Sequence, residues 1–238
     1  MDITQKHIAI AGGSSGIGFA IAALALERGA RVTILGRSEA KLADARQRLG
    51  GGVATIPMDL GDAASAAAGF QALGAFDYFV STAADLTYSP LASMPRDAIE
   101  RMLAGKFWGP VHLVQFGLPQ LQPGGSILLF SGLAADRPAP GTAMVSALNA
   151  GVEGLVRALA VELAPVRVNA ISPGVVDTEG WAFMDEASRS AFFASLASSL
   201  PARRIGSPAD LADAALFALT NPYLTGEVLH VNGGGSLG

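Results

Sequence analysis

A glycine-rich turn, set between a short apolar run and a helix, constrains this chain more than any other feature of its sequence. Residues 8–11 are apolar and predict a buried strand, and a helix is predicted to begin near Phe19. The turn between them reads Gly12-Gly13-Ser14-Ser15-Gly16-Ile17-Gly18. Its glycines permit a sharp turn and a close backbone approach, and free N–H groups at a helix N-terminus attract anions. The turn therefore predicts a cradle for the pyrophosphate of a dinucleotide.

The residues after the turn favour a dinucleotide site over a tight turn without a ligand, although glycine-rich turns occur in many loops. Apolar residues continue with helical spacing through Ile21, Leu24 and Ala25. A second apolar run, residues 31–35, follows Gly29 and predicts the next strand. Strand, turn, helix and strand form the β-α-β unit that a dinucleotide site requires.

Length and composition predict one domain that spans residues 1–238. No Pro/Ser-rich linker or charge run divides the chain, and 50% of its residues are apolar while 15% are charged. Such a composition favours a parallel sheet covered by helices on both faces. Further strands are predicted at 53–57, 76–81, 127–131, 166–171 and 227–231, and helices at 38–49, 63–73, 95–121 (kinked near Pro110) and 142–163. The expected fold class is α/β, a doubly wound parallel seven-stranded sheet of the Rossmann type.

Charge and residue usage exclude several functional classes. The net charge is −4 without a cluster of Lys and Arg, so nucleic-acid binding is not expected. The chain has no Cys, and its three histidines (His7, His112 and His230) are scattered, so we expect packing or surface histidines and no metal site. The first strand begins within a few residues of Met1 and no apolar run has membrane-spanning length, so no signal peptide, no membrane partner and a cytoplasmic location are expected.

The residues that end the second strand bear on the choice of cofactor. An acidic residue there would bind both ribose hydroxyls of NAD and repel a 2′-phosphate, but this chain has Gly36 followed by Arg37. A guanidinium in place of an acid favours NADP(H) over NAD(H). The alternative is an ordinary surface arginine that precedes a helix cap at Ser38.

Four motifs together resemble the short-chain dehydrogenase/reductase family, and the resemblance covers nearly the whole chain. They are residues 11–18, Asp59-Leu60 after strand three, Asn169-Ala170-Ile171-Ser172-Pro173-Gly174 after strand six, and residues 224–234. The resemblance implies that Asp59 and Leu60 lie near the adenine, although Asp59 also suits a turn cap. It further implies a tetramer built from the long helices and the C-terminal strand, and cofactor contacts from Ser81, Ala83, Ser131, Pro173, Gly174, Val176 and Thr178.

The catalytic residues of that family are replaced here. Its members use a tyrosine as proton donor, a lysine four residues later, a serine that polarises the carbonyl oxygen and an asparagine that holds a water relay. Alignment through residues 153–155 puts Val145 in place of the tyrosine and Asn149 in place of the lysine. Gly132 replaces the serine and Lys106 the asparagine. Because loss of a general acid alone costs a factor of roughly 10² to 10⁴, ordinary carbonyl reduction is expected to be weak or absent.

Three residues remain as catalytic candidates. Lys106 and Asn149 exchange the family's residue types, so an ammonium and an amide persist in the pocket if their side chains converge; the alternative is drift, with Lys106 reaching solvent. Tyr88, after strand four, is a possible proton donor or simply a packing or surface tyrosine. Ser131 is expected to point away from position 132 if the strand persists, and Ser146 lies beside the vacant tyrosine position.

Residues 176–200 form an expected lid rich in aromatic side chains. Such a lid suits a small apolar ligand, or its aromatic residues fill an interface or the lid's own core.

Two functions therefore stay open for the whole chain. One is an NADP(H)-binding protein with little turnover, and the other is an active NADPH-dependent reductase with a rebuilt site. A homotetramer or homodimer is expected in either case.

Overall fold

A seven-stranded parallel sheet forms the centre of the structure, a computed structural model that describes residues 3–237. The strand order is β3-β2-β1-β4-β5-β6-β7, with every neighbouring pair parallel. The strands are β1 His7–Ala11, β2 Arg31–Gly36, β3 Ala54–Pro57, β4 Phe76–Ser81, β5 Leu121–Phe130, β6 Arg167–Pro173 and β7 Val228–Val231. The order reverses between β1 and β4, which defines the switch point of a doubly wound sheet. The predicted fold class is confirmed.

Helices cover both faces of this sheet. They are α1 Gly16–Glu27, α2 Glu39–Arg48, α3 Ala63–Leu73, α4 Arg96–Leu103, α5 Gly109–His112, α6 Ala143–Glu162, α7 Glu186–Ser199 and α8 Pro208–Thr220. Apolar residues of α1, α2 and α8 pack on one face, and those of α3, α6 and the segment after α5 pack on the other. Burial of both faces explains why the central strands read as continuous apolar runs.

Two helical predictions need correction. The helix α1 begins at Gly16 rather than near Phe19, so the glycine turn runs directly into the first helical residues. The helix α8 was not predicted at all, although a capping box marks its start. The Ser207 hydroxyl accepts a hydrogen bond from the Asp210 N–H, and the Asp210 carboxylate accepts one from the Ser207 N–H.

The long helical stretch predicted at 95–121 exists but is irregular. The α-helical segments α4 and α5 are separated by a π-helical turn at Ala104–Trp108, and a second π-helical turn follows at Leu113–Gly117. Such turns widen the hydrogen-bonding pattern and are frequent at functional sites. The first of them carries Lys106.

The helix α6 corrects the expectation that no apolar run reaches membrane-spanning length. Within its 20 residues, an 18-residue window has a mean hydropathy of 1.3, which meets the criterion by length and composition only. Its apolar side chains Val145, Val152 and Val156 are buried within the protein, at 2% exposure or less. Core helices of this kind pass the same test, since length and hydropathy carry no information on packing.

Candidate functional site

The glycine turn follows β1 at the switch point, where close backbone packing leaves no room for side chains. Gly12 has a φ of +81°, and a Cβ atom there would lie 2.6 Å from Thr82 Oγ1. A Cβ atom at Gly18 would lie 2.3 Å from the carbonyl oxygen of Gly12. The Thr82 hydroxyl, from the loop after β4, donates to the Ala11 carbonyl at 3.1 Å and so ties this loop to the turn. The turn therefore has the tight geometry that its sequence predicted.

The first N–H group of α1 donates to a carboxylate from a distant part of the chain. The N-cap residue, Ser15, is extended and makes no side-chain capping bond. The Gly16 N–H instead donates to Glu179 Oε2 at 2.9 Å, and Glu179 Oε1 lies 3.6 Å from an Arg48 guanidinium nitrogen. A cavity of about 500 Å³ opens here, with walls that include Ser14, Ser15, Lys41, Asp44, Arg48 and Glu179. Glu179 lies 163 positions from Gly16, so no local sequence pattern predicts this contact.

Arg37 and Ser38 follow β2 at the same edge of the sheet. Arg37 is exposed, and its guanidinium lies 3.5 Å from Asp85 Oδ2 on the loop after β4. Ser38 caps α2, since its hydroxyl accepts a hydrogen bond from the Lys41 N–H at 3.3 Å. Ser38 is thus the helix cap that the sequence suggested. Arg37 remains accessible to an anion.

Asp59 and Leu60 follow β3. Asp59 Oδ1 accepts a hydrogen bond from the Gly61 N–H at 2.9 Å, as a turn cap does. Leu60 is buried, and its carbonyl binds the Nδ1 of His112. The side chain of Asp59 therefore stabilises its own turn, whatever else its backbone contacts.

The segment after β6 passes over the glycine turn. A Cβ atom on Gly16 would meet Thr178 Cβ at 3.5 Å, so Thr178 lies directly against the turn. Gly174 is packed against Asn232, and Val176 is buried and bridges to Gly206. Tertiary structure thus brings the Thr178 end of this predicted cofactor segment to the glycine motif.

Position 132 and Asn149 are coupled by close packing. Asn149 Nδ2 donates to the Gly132 carbonyl at 3.3 Å, and a Cβ atom at position 132 would lie 2.8 Å from that nitrogen. Asn149 is 2% exposed, and within residues 3–237 its Oδ1 has no hydrogen-bond partner. Val145 is also 2% exposed and packs with Met94, Ala98, Met102 and Leu148. A serine at 132 and this conformation of Asn149 are therefore incompatible.

Lys106 is buried rather than solvent-exposed, so the drift alternative with a solvent-facing ammonium is wrong. Its Nζ donates to the Phe130 carbonyl at 2.8 Å and the Ser131 carbonyl at 3.1 Å. Burial lowers the pKa of Lys106 to about 8. Lys106 and Asn149 thus bind consecutive carbonyls at the end of β5, and the lysine shares a small cavity with Ser81 and Ala83.

Ser131 points toward α6, which corrects the expected orientation. Its hydroxyl donates to Glu153 Oε1 at 2.6 Å, on the same side as the Cβ direction of Gly132. The strand ends at Phe130, so alternation of side chains does not extend to these two positions. Glu153 is a site neighbour that the sequence did not single out.

Tyr88 lies on the loop after β4 with 65% of its surface exposed. The structure gives its hydroxyl no hydrogen bond to any residue between 3 and 237. Ser146, beside the vacant tyrosine position, lies 3.3 Å from the Thr142 hydroxyl. The hydrogen bonds found for Lys106 within residues 3–237 go to the Phe130 and Ser131 carbonyls and to neither of these hydroxyls.

The expected lid contains a short turn, Glu179–Trp181, and the helix α7. The Trp181 ring packs against Phe183, Phe192 and Phe193 at ring-centroid distances of 5.3 to 6.0 Å, tilted toward the first two and edge-to-face with the third. The aromatic residues thus pack largely on one another, while Phe183 remains 79% exposed.

The histidines occupy separate structural positions. His7 bonds to the Ala75 carbonyl and the Thr33 hydroxyl, and His230 pairs with Asp136 at 3.3 Å. Within the described part of the chain, no group of three or more His, Cys, Asp or Glu side chains is arranged to hold a metal ion.

A parallel sheet that reverses its order beside a tight glycine turn defines a doubly wound α/β protein of the dinucleotide-binding class. The chain belongs to the short-chain dehydrogenase/reductase family. The family model described as enoyl-(acyl carrier protein) reductase matches residues 11–236. A short-chain dehydrogenase/reductase from Malbranchea aurantiaca, malC, is 34% identical over 96% of this chain and 94% of its own.

Solved structures agree with this assignment. The MalC reductase/Diels-Alderase from the same organism superposes with a TM-score of 0.92, at 32% identity over 99% of this chain and 98% of its own. An NADPH-bound short-chain oxidoreductase from Pseudomonas aeruginosa PAO1, described as containing an atypical catalytic center, has a TM-score of 0.88. It is 35% identical over 97% of this chain and 98% of its own.

Proposed function

We propose that this protein binds NADP(H) in the glycine turn and that its ordinary carbonyl-reducing activity is weak or absent. Three features of the turn support a bound dinucleotide: the close packing at Gly12, the N-terminus of α1 directly at the end of the turn, and the approach of Thr178 to Gly16. The P. aeruginosa relative binds NADPH in its solved structure. The orphaned Oδ1 of Asn149 fits an acceptor for a cofactor hydroxyl, since a buried oxygen without a partner is costly.

The exposed guanidinium of Arg37 supports a preference for NADP(H) over NAD(H). It lies at the end of β2 beside the cavity-lining helix α2, where a 2′-phosphate is expected. An Arg37→Ala variant is expected to weaken NADPH binding by a factor of about 10 while NADH binding changes little. Calorimetric titration with both cofactors tests this, and an equal loss for both would contradict the preference.

The observation that carries the low-activity proposal is the side chain at position 145. Val145 is buried in an apolar cluster and has no ionisable group, so it cannot protonate a developing alkoxide. The neighbouring Gly132 cannot orient a carbonyl oxygen, and Lys106 is bound to two backbone carbonyls. Hydride transfer to a neutral carbonyl therefore lacks both its acid and its polarising hydroxyl.

The second candidate is an active reductase with a rebuilt site. It is favoured by the pKa of Lys106, which burial places at about 8, close to the range in which a group both gives and takes a proton. The Malbranchea relative is named a reductase and a Diels-Alderase, and the P. aeruginosa relative is described by its atypical catalytic center. Tyr88 is the other proton-donor candidate in this version of the site.

Turnover assays separate the two candidates. NADPH oxidation is measured against aldehydes, ketones, quinones and preformed iminium ions, with the wild type and Lys106→Ala compared. Iminium ions are included because hydride addition to a cationic C=N bond gives a neutral amine without an added proton. Tight NADPH binding with no turnover of any substrate supports the binding protein. Turnover that disappears in Lys106→Ala supports the rebuilt site.

Three coarser features complete the proposal. The chain forms one domain, with residues 176–200 as a lid over the cofactor and any small apolar ligand. Phe107 and Trp108 are exposed on the long helical stretch, which supports a homo-oligomer, dimer or tetramer, assembled through that surface. A cytoplasmic location is proposed on the absence of cysteine and disulfides.

A further inference from the structure

Glu179 places a carboxylate at the point where the glycine turn meets α1. Its Oε2 accepts the Gly16 N–H at 2.9 Å, and Thr178, the preceding residue, lies against the same glycine. A carboxylate at a helix N-terminus is stabilised by the helix dipole and by a charge-assisted hydrogen bond. The hydrogen bond to Glu179 thus occupies the Gly16 N–H, a helix N-terminal donor of the kind that binds phosphates.

One N–H group cannot bind a carboxylate and a phosphate oxygen with full strength, and two anions at the same helix end repel each other. We propose that Glu179 is an internal competitor of the cofactor, occupying the anion cradle until a dinucleotide displaces it. This inference rests on the proposed NADP(H) function and adds to it a built-in control of cofactor affinity. The apparent affinity is lowered by the fraction of molecules in which the cradle is occupied.

Arg48 offers a partner for the carboxylate once it leaves the Gly16 N–H. Glu179 Oε1 lies 3.6 Å from Arg48, whose guanidinium also pairs with Asp44 at 3.3 Å and lies 4.2 Å from the centroid of the Phe19 ring. A small rotation of the Glu179 side chain toward Arg48 would free the Gly16 N–H while keeping an ion pair. Arg48 can therefore keep the Glu179 carboxylate paired when the cofactor displaces it from Gly16.

The same contact links the cradle to the lid. Glu179 is the first residue of the turn Glu179–Trp181, and Trp181 Nε1 donates to the Val176 carbonyl at 3.0 Å. The Trp181 ring also packs against Phe192 and Phe193 of α7. Release of Glu179 consequently removes one of the bonds that hold the first turn of the lid, so cofactor binding loosens or repositions this turn.

Three variants test the displacement by calorimetry and by stopped-flow NADPH fluorescence. Glu179→Gln removes the charge and keeps a weaker acceptor, and Glu179→Ala removes both. Both are expected to lower the Kd for NADPH by a factor of about 3 to 10, mainly through faster association, as expected for loss of one exposed charge-assisted contact. The matched control is Glu186→Gln, which makes the same charge change at an exposed position of the same segment. Unchanged or weaker NADPH binding in both Glu179 variants, or an equal gain in the control, overturns the proposal.

A cofactor-free readout separates this inference from the proposed function. Amide hydrogen exchange at Gly16 is expected to accelerate in Glu179→Ala, and inorganic pyrophosphate is expected to bind this variant more tightly than the wild type. If NADPH binds no variant while both of these results hold, the NADP(H) function fails and the internal competitor stands. If NADPH binds the wild type while exchange and pyrophosphate binding are unaffected by the substitution, the competitor fails and the function stands.

Discussion

Lys106 is held by two backbone carbonyls and, among residues 3–237, by no carboxylate, so its charge is an energetic cost of the folded state. Burial lowers its pKa from 10.5 to about 8. The folded protein therefore releases the proton near pH 8, while the unfolded chain keeps it until about pH 10.5. Stability rises with pH wherever the unfolded state holds more protons.

The free energy of unfolding is expected to rise between pH 8 and pH 10 in the wild type. A Lys106→Met variant keeps a side chain of similar volume but has no titratable amine. Its free energy of unfolding is therefore expected not to rise over this pH range. The full difference between the two pKa values corresponds to about 3 kcal/mol as an upper bound. Urea unfolding of both proteins at pH 7 and pH 9.5 measures the effect, and parallel pH dependences would contradict it.

Asp85 pairs with Arg37, the residue proposed to bind the 2′-phosphate of NADP(H), and would compete with that phosphate. The pair is exposed, with 3.5 Å between the charged atoms, so its strength is modest. An Asp85→Asn variant is expected to tighten NADPH binding about two- to five-fold and to leave NADH binding unchanged. Asp213→Asn, which breaks the distant exposed pair with Arg28, is the control. Tighter binding of both cofactors in Asp85→Asn would indicate a general charge effect instead.

Gly132 and Asn149 are expected to behave as one unit in a double-mutant cycle. A Cβ atom at position 132 meets the amide nitrogen of Asn149 at 2.8 Å, so Gly132→Ala destabilises the fold by about 1 to 2 kcal/mol through overpacking. In an Asn149→Ala background the same substitution costs less, because the clashing amide is absent. Chemical denaturation of the four proteins measures this coupling, and strict additivity would show that the contact does not constrain position 132.

At the level of elements, α8 shows how local and tertiary signals combine. Its capping box fixes its first turn, and Leu211, Ala215 and Leu219 are buried in the cluster that also contains Ile21 and Ala22 of α1. The Arg204 guanidinium and the Ser207 N–H hold the pKa of Asp210 well below its usual range. The Asp210 carboxylate therefore stabilises the first turn of α8, a helix whose apolar face forms part of the core.

Ser207→Ala is expected to destabilise the protein by about 1 kcal/mol, the typical cost of a lost N-cap. The matched control is Asp185→Ala at the cap of α7, a helix without buried residues, which should change global unfolding less. The contribution of Asp210 is complete above an ordinary aspartate pKa near 3.8 and declines as the pH falls below that value. Thermal unfolding of the two variants at pH 7 compares the caps, and equal losses would contradict the role of burial.

At the scale of the whole molecule, exposed aromatic residues mark a surface suited to association. Phe107 and Trp108 are 38% and 48% exposed, and Trp108 stacks on His112 one turn further along. Aromatic residues are enriched in protein interfaces, and monomers rarely expose large contiguous apolar patches.

A Trp108→Glu variant is expected to shift the proposed oligomer toward smaller species, because a charge placed in an apolar interface must be desolvated. Phe183→Glu, in the expected lid, changes an exposed aromatic residue in the same way and should leave the assembly state unchanged. Sedimentation velocity of the three proteins reports the result. A wild type that is monomeric at all concentrations would contradict the proposed oligomer.

The sequence by itself determined the sheet, most helices and the glycine turn, because each depends on local apolar patterns and on residues that lie next to one another. The family followed from the same motifs, whereas the strand order came from the structure. Even the absence of an acid at position 145 could be read directly, since a valine cannot ionise wherever it lies.

Only the tertiary structure decided which groups meet across the ends of different strands. The burial of Lys106, the packing of Asn149 against Gly132 and the pairing of Arg37 with Asp85 all join residues separated by 17 or more positions. The bond from Gly16 to Glu179 joins residues 163 positions apart. No local pattern encodes such contacts, because they arise when parallel strands bring their carboxyl ends to one edge of the sheet.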